Sequence, residues 1–233
     1  MGKLQRAAVW VLALGLTGPV AAQSEPKGLT PVSPSTIALG ASPQEWSWRA
    51  AIVADLQKEL PCASLQEVAQ DGNREATPIR SVDGLKVRAG FRWNLGDEGV
   101  KYWWPQGISG TGAAYASEAL GGKRLLLVSW YFKRSESRSL HNKGVRVSVV
   151  DVTSPRRVRY RHILLVDPIR DARGRATFKP VPVHAGGIAW VGRTLYVADT
   201  RRGFRVFDTH RILRVSDGKK ETIGRRGGRF HAF

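Results

Sequence analysis

The chain has 233 residues, enough for one domain with an N-terminal extension. Its 37 Lys and Arg residues outnumber its 19 Asp and Glu residues, which gives a formal net charge of +18. The single cysteine, Cys62, excludes an internal disulfide. We interpret Cys62 as a small buried hydrophobic residue rather than a nucleophile or an intermolecular bridge.

Residues 1–22 have the features of a secretory signal peptide. Lys3 and Arg6 precede an apolar run over Ala7–Leu16, and Val20–Ala22 supplies the small residues of a cleavage site. The apolar run is too short for a stable membrane-spanning helix, and no second stretch of membrane length follows. We therefore expect a secreted, extracellular protein whose charge after cleavage is +16 (18 − 2).

The next two segments are predicted to be a linker and a helical arm. Residues 23–41 are rich in Pro, Ser and Thr, which is typical of a flexible linker. Residues 42–89 begin with Ser42 as a helix N-cap and Glu45 three positions later, a capping pattern that predicts a helix. Pro61 ends it.

Three shorter elements follow. A second helix is predicted over Leu65–Gln70 and a strand over Leu85–Arg88. Gly96–Gly99 encloses the acidic pair Asp97 and Glu98 between glycines, which indicates an exposed turn.

Tyr102, Trp103 and Trp104 form the densest aromatic cluster of the chain. Core filling at the start of a strand is the first interpretation. A surface that stacks on carbohydrate or another ligand is the alternative, and these three residues are therefore candidate ligand-binding residues.

The segment from His184 to Asp208 predicts three short strands. Thr194–Ala198 and Phe204–Phe207 have β-forming composition, and a glycine-containing turn separates them. A further strand over Gly186–Trp190 precedes them. Three successive strands joined by short turns are a meander, the unit of a propeller blade.

An earlier part of the chain repeats this pattern with longer loops, over Ser109–Gly122 and Lys133–Asn142, and adds a fourth strand over Tyr160–Val166. We expect two related modules that stack side by side. The matched segments are Trp104–Ile108 with His184–Ile188, Arg124–Ser129 with Thr194–Asp199, and Gly144–Val147 with Gly203–Val206.

Leu195–Thr200, followed after two residues by Gly203–Asp208, resembles the blade signature of NHL and YVTN-type β-propellers. The chain from about Phe91 onward also resembles a group of secreted bacterial propeller-like proteins of unassigned function. The resemblance implies a mainly β fold: a partial, open or incomplete β-propeller of about two blades over residues 90–233, with the helical N-terminal arm. Closed propellers need at least about four blades, so we expect a truncated chain or an open fragment that needs partners.

The sequence contains no convergent set of acid, base or metal-binding residues, and its five histidines lack a metal-binding spacing. We therefore predict no metal and no cofactor. His184, at the start of a blade, and Asp199, in a turn, are candidate catalytic residues if the chain is a lactonase- or lyase-type enzyme, as the resemblance to some propellers implies. Local hydrogen bonding to the backbone is the competing interpretation for both.

Basic residues concentrate in four runs, which indicate either a solvated surface or a positive face for anionic cell-wall polymers, acidic glycans or extracellular nucleic acid without base-specific recognition. Arg201 and Arg202 are candidate ligand-binding residues. The leading hypothesis is an exported, non-catalytic binding or scaffold protein for anionic polymers or another protein chain. The alternatives are an enzyme or a non-functional remnant. The four runs of basic residues are Arg134–Arg138, Arg156–Arg161, Arg201–Arg214 and Lys219–Arg229.

Overall fold

The computed structural model describes residues 42–139, 141–215 and 221–232. The predicted signal peptide (1–22) and linker (23–41) lie outside the described residues. Strands hold 43% and helices 18% of the described chain. The fold is therefore mainly β, as the sequence predicts.

The described residues form four α-helices and one 3₁₀ turn (Arg134–Glu136). The first helix begins as predicted, because the Ser42 hydroxyl accepts a hydrogen bond from the Glu45 amide at 3.3 Å and Pro43 occupies the first helical position. The second helix has the predicted bounds. The helices are α1 (Pro43–Glu59), α2 (Leu65–Gln70), α3 (Leu95–Glu98) and α4 (Thr111–Ala114).

The strands of the described residues range from two to thirteen residues. They are β1 (Cys62–Ala63), β2 (Arg74–Pro78), β3 (Ser81–Val82), β4 (Leu85–Lys86), β5 (Phe91–Arg92), β6 (Trp103–Gly110), β7 (Leu125–Phe132), β8 (Val145–Asp151), β9 (Val158–Arg170), β10 (Ala176–Pro180), β11 (Ile188–Val191), β12 (Thr194–Asp199), β13 (Gly203–Asp208), β14 (Ile212–Leu213), β15 (Gly224–Arg226) and β16 (Arg229–His231).

The first module is an antiparallel meander in which β6, β7, β8 and β9 each pair with the next strand. β9 contains the predicted fourth strand. Beyond β9, β2 and β5 extend the sheet, so that six strands in the order β5-β2-β9-β8-β7-β6 form a curled half barrel. The far end of β9 pairs with β10.

The second module is a separate three-stranded antiparallel sheet in the order β11-β12-β13. Its strands lie where the sequence predicts them, and Asp199 pairs with Gly203 across the predicted turn. The chain after Asp208 forms β14, which pairs with β1 rather than with β13. Among the described residues, the second module therefore has no fourth strand.

The two modules pack face to face, with their first strands side by side. A side chain at Gly107 would lie 3.0 Å from the Gly186 carbonyl oxygen and 3.2 Å from the Ile188 nitrogen, so β6 approaches β11 too closely for a larger residue. The Trp190 amide donates to the Ser109 hydroxyl at 3.0 Å. Apolar residues of both sheets and of α2 fill the shared core, including Leu125, Leu127, Val145, Val147, Val149, Trp190, Leu195 and Val197.

Residues 42–89 also contribute to the large sheet through β2, which pairs with β9. α1 packs on β9 and β10 through Ile52 and Leu56. The prediction that Cys62 is buried is wrong: Cys62 is exposed, because successive side chains of β1 point to opposite sides and Ala63 takes the buried position.

Candidate functional site

The first strands of both modules begin at the same end of the molecule. Gly107 lies against Gly186 and Ile188, and Ser109 against Trp190, so β6 and β11 run in the same direction. In an antiparallel meander the turn between the second and third strands returns to the end at which the first strand begins. We call this end, comprising residues 101–104, 131–139, 141–143, 184–187 and 199–203, the basic end.

An aromatic row crosses the basic end. Trp104 and Tyr131 are cross-strand partners with ring centroids 6.5 Å apart, and the Tyr131 ring stacks on His184 at 4.6 Å. Trp104 is 40% exposed, and the Lys133 ammonium lies 4.4 Å from its ring centroid. The Trp104 indole donates to the Lys101 carbonyl at 2.6 Å, which fixes the ring orientation. The row therefore presents a positioned, partly solvent-exposed stacking surface.

The other two members of the predicted aromatic cluster lie elsewhere. Trp103 is 5% exposed, and the Arg146 guanidinium covers its ring at 4.6 Å. Tyr102 is half-buried, with its ring 5.5 Å from that of Phe132. Neighbouring residues of a strand point to opposite faces, so of the consecutive pair Trp103–Trp104 only Trp104 belongs to the exposed row.

The basic end carries more positive than negative charge. Lys133 pairs with Glu136 at 3.2 Å, and Lys143 pairs with Glu221 at 2.9 Å. Five further cations are exposed and form no salt bridge with a described residue. They are Lys101, Arg134, Arg138, Arg201 and Arg202. The predicted ligand-binding residues Arg201 and Arg202 therefore lie at the same end as Trp104.

His184 and Asp199 also lie at the basic end, each with its own local partner. The Asp199 carboxylate accepts from the Arg205 guanidinium at 3.0 Å and from the Arg201 amide at 3.2 Å. Burial opposes ionisation of Asp199, but these donors hold its pKa below the usual range. Within the described residues, no hydrogen bond joins Asp199 to the exposed His184. The geometry therefore holds a carboxylate in a hairpin and a histidine in an aromatic stack.

A buried charge network lies on the face of the first module that points away from the second module. Asp97, at 5% exposure, accepts four hydrogen bonds or ion-pair contacts. Its Oδ1 lies 3.0 Å from both Arg146 Nη2 and His162 Nε2. Its Oδ2 lies 2.7 Å from the Tyr160 hydroxyl and 2.9 Å from Arg74 Nε. One carboxylate thereby joins α3 to β2, β8 and β9.

The network continues behind His162. The Trp130 indole donates to the Ser148 hydroxyl at 2.8 Å, and that hydroxyl lies 2.9 Å from His162 Nδ1. Burial lowers the pKa of His162 to about 4, against the opposing hydrogen bond to Asp97. His162 is therefore neutral at pH 7. A neutral His162 ring donates from Nε2 to Asp97 and accepts at Nδ1 from Ser148. Each group in this series of hydrogen bonds, from Trp130 to Asp97, then has a partner of the matching type.

The ionisation states of the other members follow from the same contacts. Burial would raise the pKa of Asp97, but His162, Arg146 and Tyr160 together hold it well below its usual range. Burial and the adjacent carboxylate raise the pKa of Tyr160. Burial lowers the pKa of Arg146 to about 10, so the guanidinium remains charged at pH 7.

Ser148, His162 and Asp97 occur in the order of a nucleophile, base and acid, but their environment does not fit nucleophilic catalysis. Ser148 is 0% exposed, and its hydroxyl is engaged by Trp130 and His162. A nucleophile has to reach a substrate atom. Ser148 therefore does not fit the role of a nucleophile, and the contacts of Asp97 hold α3 against the sheet.

Sequence reasoning missed two parts of this arrangement. The expectation of an exposed acidic turn at Gly96–Gly99 is wrong for Asp97, because its partners come from strands 23 to 65 positions away and no local pattern reveals them. Tyr131 and Lys133 were also missed. The repeat alignment could have found Tyr131, because it lies on the strand that pairs with the start of β6.

Within the described ranges, no group of three or more His, Cys, Asp or Glu residues is arranged to hold a metal ion. The same residues include no helix with the length and apolar character needed to cross a membrane. Comparison with family models, curated proteins and solved structures finds no match to the chain. The function proposed below is therefore inferred from the geometry of this chain alone.

Proposed function

We propose that the protein is an exported, non-catalytic binding protein of partial β-propeller architecture, and that its basic end holds an anionic cell-wall or extracellular polymer. The observation that carries the proposal is one end of the molecule at which the partly exposed aromatic row of Trp104, Tyr131 and His184 lies with five cations that form no salt bridge with a described residue. Aromatic faces stack on sugar rings or other flat ligand surfaces, and the cations attract acidic groups in a salt-dependent way.

The propeller interpretation is supported by the relation between the modules. Each is an antiparallel meander, and their first strands, β6 and β11, are adjacent and run in the same direction. Neighbouring blades of a propeller have their first strands side by side around a central axis. The half-barrel curl and the pairing of β2 and β5 with the first module are additions to that pattern.

The basic end is favoured as the contact surface over the rest of the charged surface. Arg201 and Arg202 are held on the turn of a hairpin whose Asp199 carboxylate accepts from the Arg201 amide. The side chain of Trp104 is positioned by the hydrogen bond to Lys101. Positioned groups lose less conformational entropy on binding than freely moving ones.

The binding proposal is tested with immobilised polygalacturonate as the anionic polymer and a neutral glucan as its control, over a range of salt concentrations. We expect binding to polygalacturonate alone, weakening steeply with salt. Trp104→Ala should weaken it by about tenfold, the loss of one stacking contact. The double variant Arg201→Gln/Arg202→Gln should both weaken binding and reduce its salt dependence.

The matched control is Arg156→Gln/Arg157→Gln, an adjacent exposed pair in the β8–β9 turn at the opposite end of the first module. It removes the same charge and should reduce affinity much less. Equal losses in both double variants would show a diffuse charge effect and overturn the assignment to the basic end. Export is tested separately: the secreted chain should begin at Gln23 when its N-terminus is sequenced.

A further inference from the structure

Among the described residues, no strand pairs with the outer edge of β13, which we call the β13 edge. β13 pairs with β12 on one side, and β14, the next strand, pairs with β1. All six residues from Gly203 to Asp208 line an open groove of about 2840 Å³. The strand therefore borders this groove along its whole length.

The direction of the free backbone groups follows from the sheet register. The Ala198 amide donates to the Gly187 carbonyl at 2.8 Å, on the β11 side of β12. Alternate residues of an antiparallel strand bond to opposite neighbours, so the residues that pair with Leu195, Val197 and Asp199 bond to β12. The intervening residues Phe204 and Val206 direct their N–H and C=O groups to the free edge.

In the part of the chain that the structure describes, the other edges of the two principal sheets are covered, irregular or short, whereas the β13 edge is none of these. β6 contains Pro105 and an irregular register between Pro105 and Ile108, and its neighbour is β11. The β10 edge is covered by β15, and β5 has only two residues. β13 has six residues, a regular register and no proline. Prolines, bulges and short strands protect edges from pairing, and β13 lacks all three.

We propose that the β13 edge binds an extended, acidic segment of another polypeptide as an added antiparallel strand, in the place that β9 occupies in the first module. Phe204 and Val206 are 52% and 37% exposed and offer an apolar contact for alternate side chains of that strand.

The charge around β13 selects the partner. Arg201 and Arg202 precede the strand without a salt bridge to a described residue, and at its other end Arg193 and Arg211 share the single carboxylate of Asp208. A second copy of this chain would bring a similarly basic edge, so like charges oppose self-pairing. This inference does not depend on the proposed binding of a polymer.

The experiment measures binding of a dye-labelled peptide of about nine residues, in which valine alternates with glutamate, to the mature chain by fluorescence anisotropy. Val206→Pro removes an outward N–H without removing a β12–β13 hydrogen bond, and should weaken binding about tenfold or more. Val206→Thr keeps the N–H and should bind within about twofold of the unchanged protein. Trp104 lies in β6 and not in β13, so Trp104→Ala should not alter peptide binding.

Two modified peptides keep the test decisive if Val206→Pro disturbs folding. A peptide with alternate N-methylated amides cannot pair with a strand edge and should not bind, and one with glutamine for glutamate should bind more weakly. Equal binding of either modified peptide, or no binding of the acidic one, would overturn the proposal. Dimers of the unchanged protein that dissociate in Val206→Pro would assign the edge to a second copy instead, and would also overturn it.

Discussion

The two modules share a strand pattern but differ in how much of it is covered. In the first module, β7 and β8 are buried on both faces: Leu125–Trp130 and Val145–Val150 contain no exposed residue. In the second, β12 alternates between buried and part-buried residues, and Phe204 and Val206 of β13 are exposed. The central strands of the first sheet are therefore buried on both faces, whereas the second sheet, among the described residues, has one buried face and one that is partly exposed.

This difference shows what the meander pattern specifies. It specifies the strands, their turns and the face that packs inward, because these depend on local composition and alternation. It does not specify whether the outward face is covered. In the first module, the segment from Phe91 to Trp103 and the Asp97 network supply that cover.

The largest effect should come from the core that the modules share. Trp190 in β11 is 0% exposed, donates from its indole to the Gly192 carbonyl and contacts the edge of Tyr115. Trp190→Ala should lower the free energy of unfolding by about 3–5 kcal/mol, as expected for loss of a large buried aromatic side chain. Urea denaturation measures it.

Trp104→Ala is the matched control, since the same side chain is removed from an exposed position of β6. It should change stability by about 0.5 kcal/mol or less. If both variants lose the same stability, the two modules do not share a core at Trp190.

The second effect distinguishes the modules by their response to pH, because His162, whose pKa is strongly lowered, lies in the first module. The folded pKa of His162 is about 4, below its ordinary value of 6.5. Between these values the unfolded chain binds more protons than the folded one, so stability is complete above pH 6.5 and falls as the pH drops toward 4. The loss should be on the order of 3 kcal/mol.

Urea denaturation at several pH values measures this loss. His162→Gln removes the titrating ring and should flatten the stability profile between pH 6.5 and 4. The lowered pKa of Asp97 adds a further loss only as the pH falls below its ordinary value of 3.8. A variant that keeps the full slope above pH 4 would contradict the assignment to His162.

A smaller effect is expected where the first strands meet. Gly107→Ala places a Cβ 3.0 Å from the Gly186 carbonyl oxygen, which forces β6 and β11 apart. We expect a loss of about 1–3 kcal/mol, the usual cost of overpacking. Gly112→Ala is the control, because a Cβ at Gly112 meets no atom within 4 Å. Equal stability of the two variants would indicate that the strands are not in close contact.

Much of this fold could be predicted from local sequence. The Ser42 cap, the glycine at the β12–β13 turn and the alternation in Thr194–Ala198 each act over a few residues. Three of the candidate ligand-binding residues, Trp104, Arg201 and Arg202, lie at one end of the molecule, and their role in binding stays a prediction. The repeat places them there, because equivalent turns of stacked meanders lie at equivalent ends.

The remainder depends on contacts between distant parts of the chain. The pairing of β2 with β9 joins Arg74 to Tyr160, and the pairing of β1 with β14 joins Cys62 to Leu213. No periodicity within either segment names its partner. The burial of Asp97 depends on the pairings of β2 and β8 with β9, since these bring Arg74 and Arg146 together around one carboxylate.

The stacking of the two modules, with β6 beside β11, is measured directly by nuclear Overhauser spectroscopy on the isotopically labelled mature chain. We expect a cross-peak between the α-protons of Gly107 and the amide proton of Ile188, because a Cβ at Gly107 would lie 3.2 Å from the Ile188 nitrogen. If both signals are assigned and no cross-peak joins them, while the β7–β8 and β12–β13 pairings are observed, the modules fold but do not stack in this way.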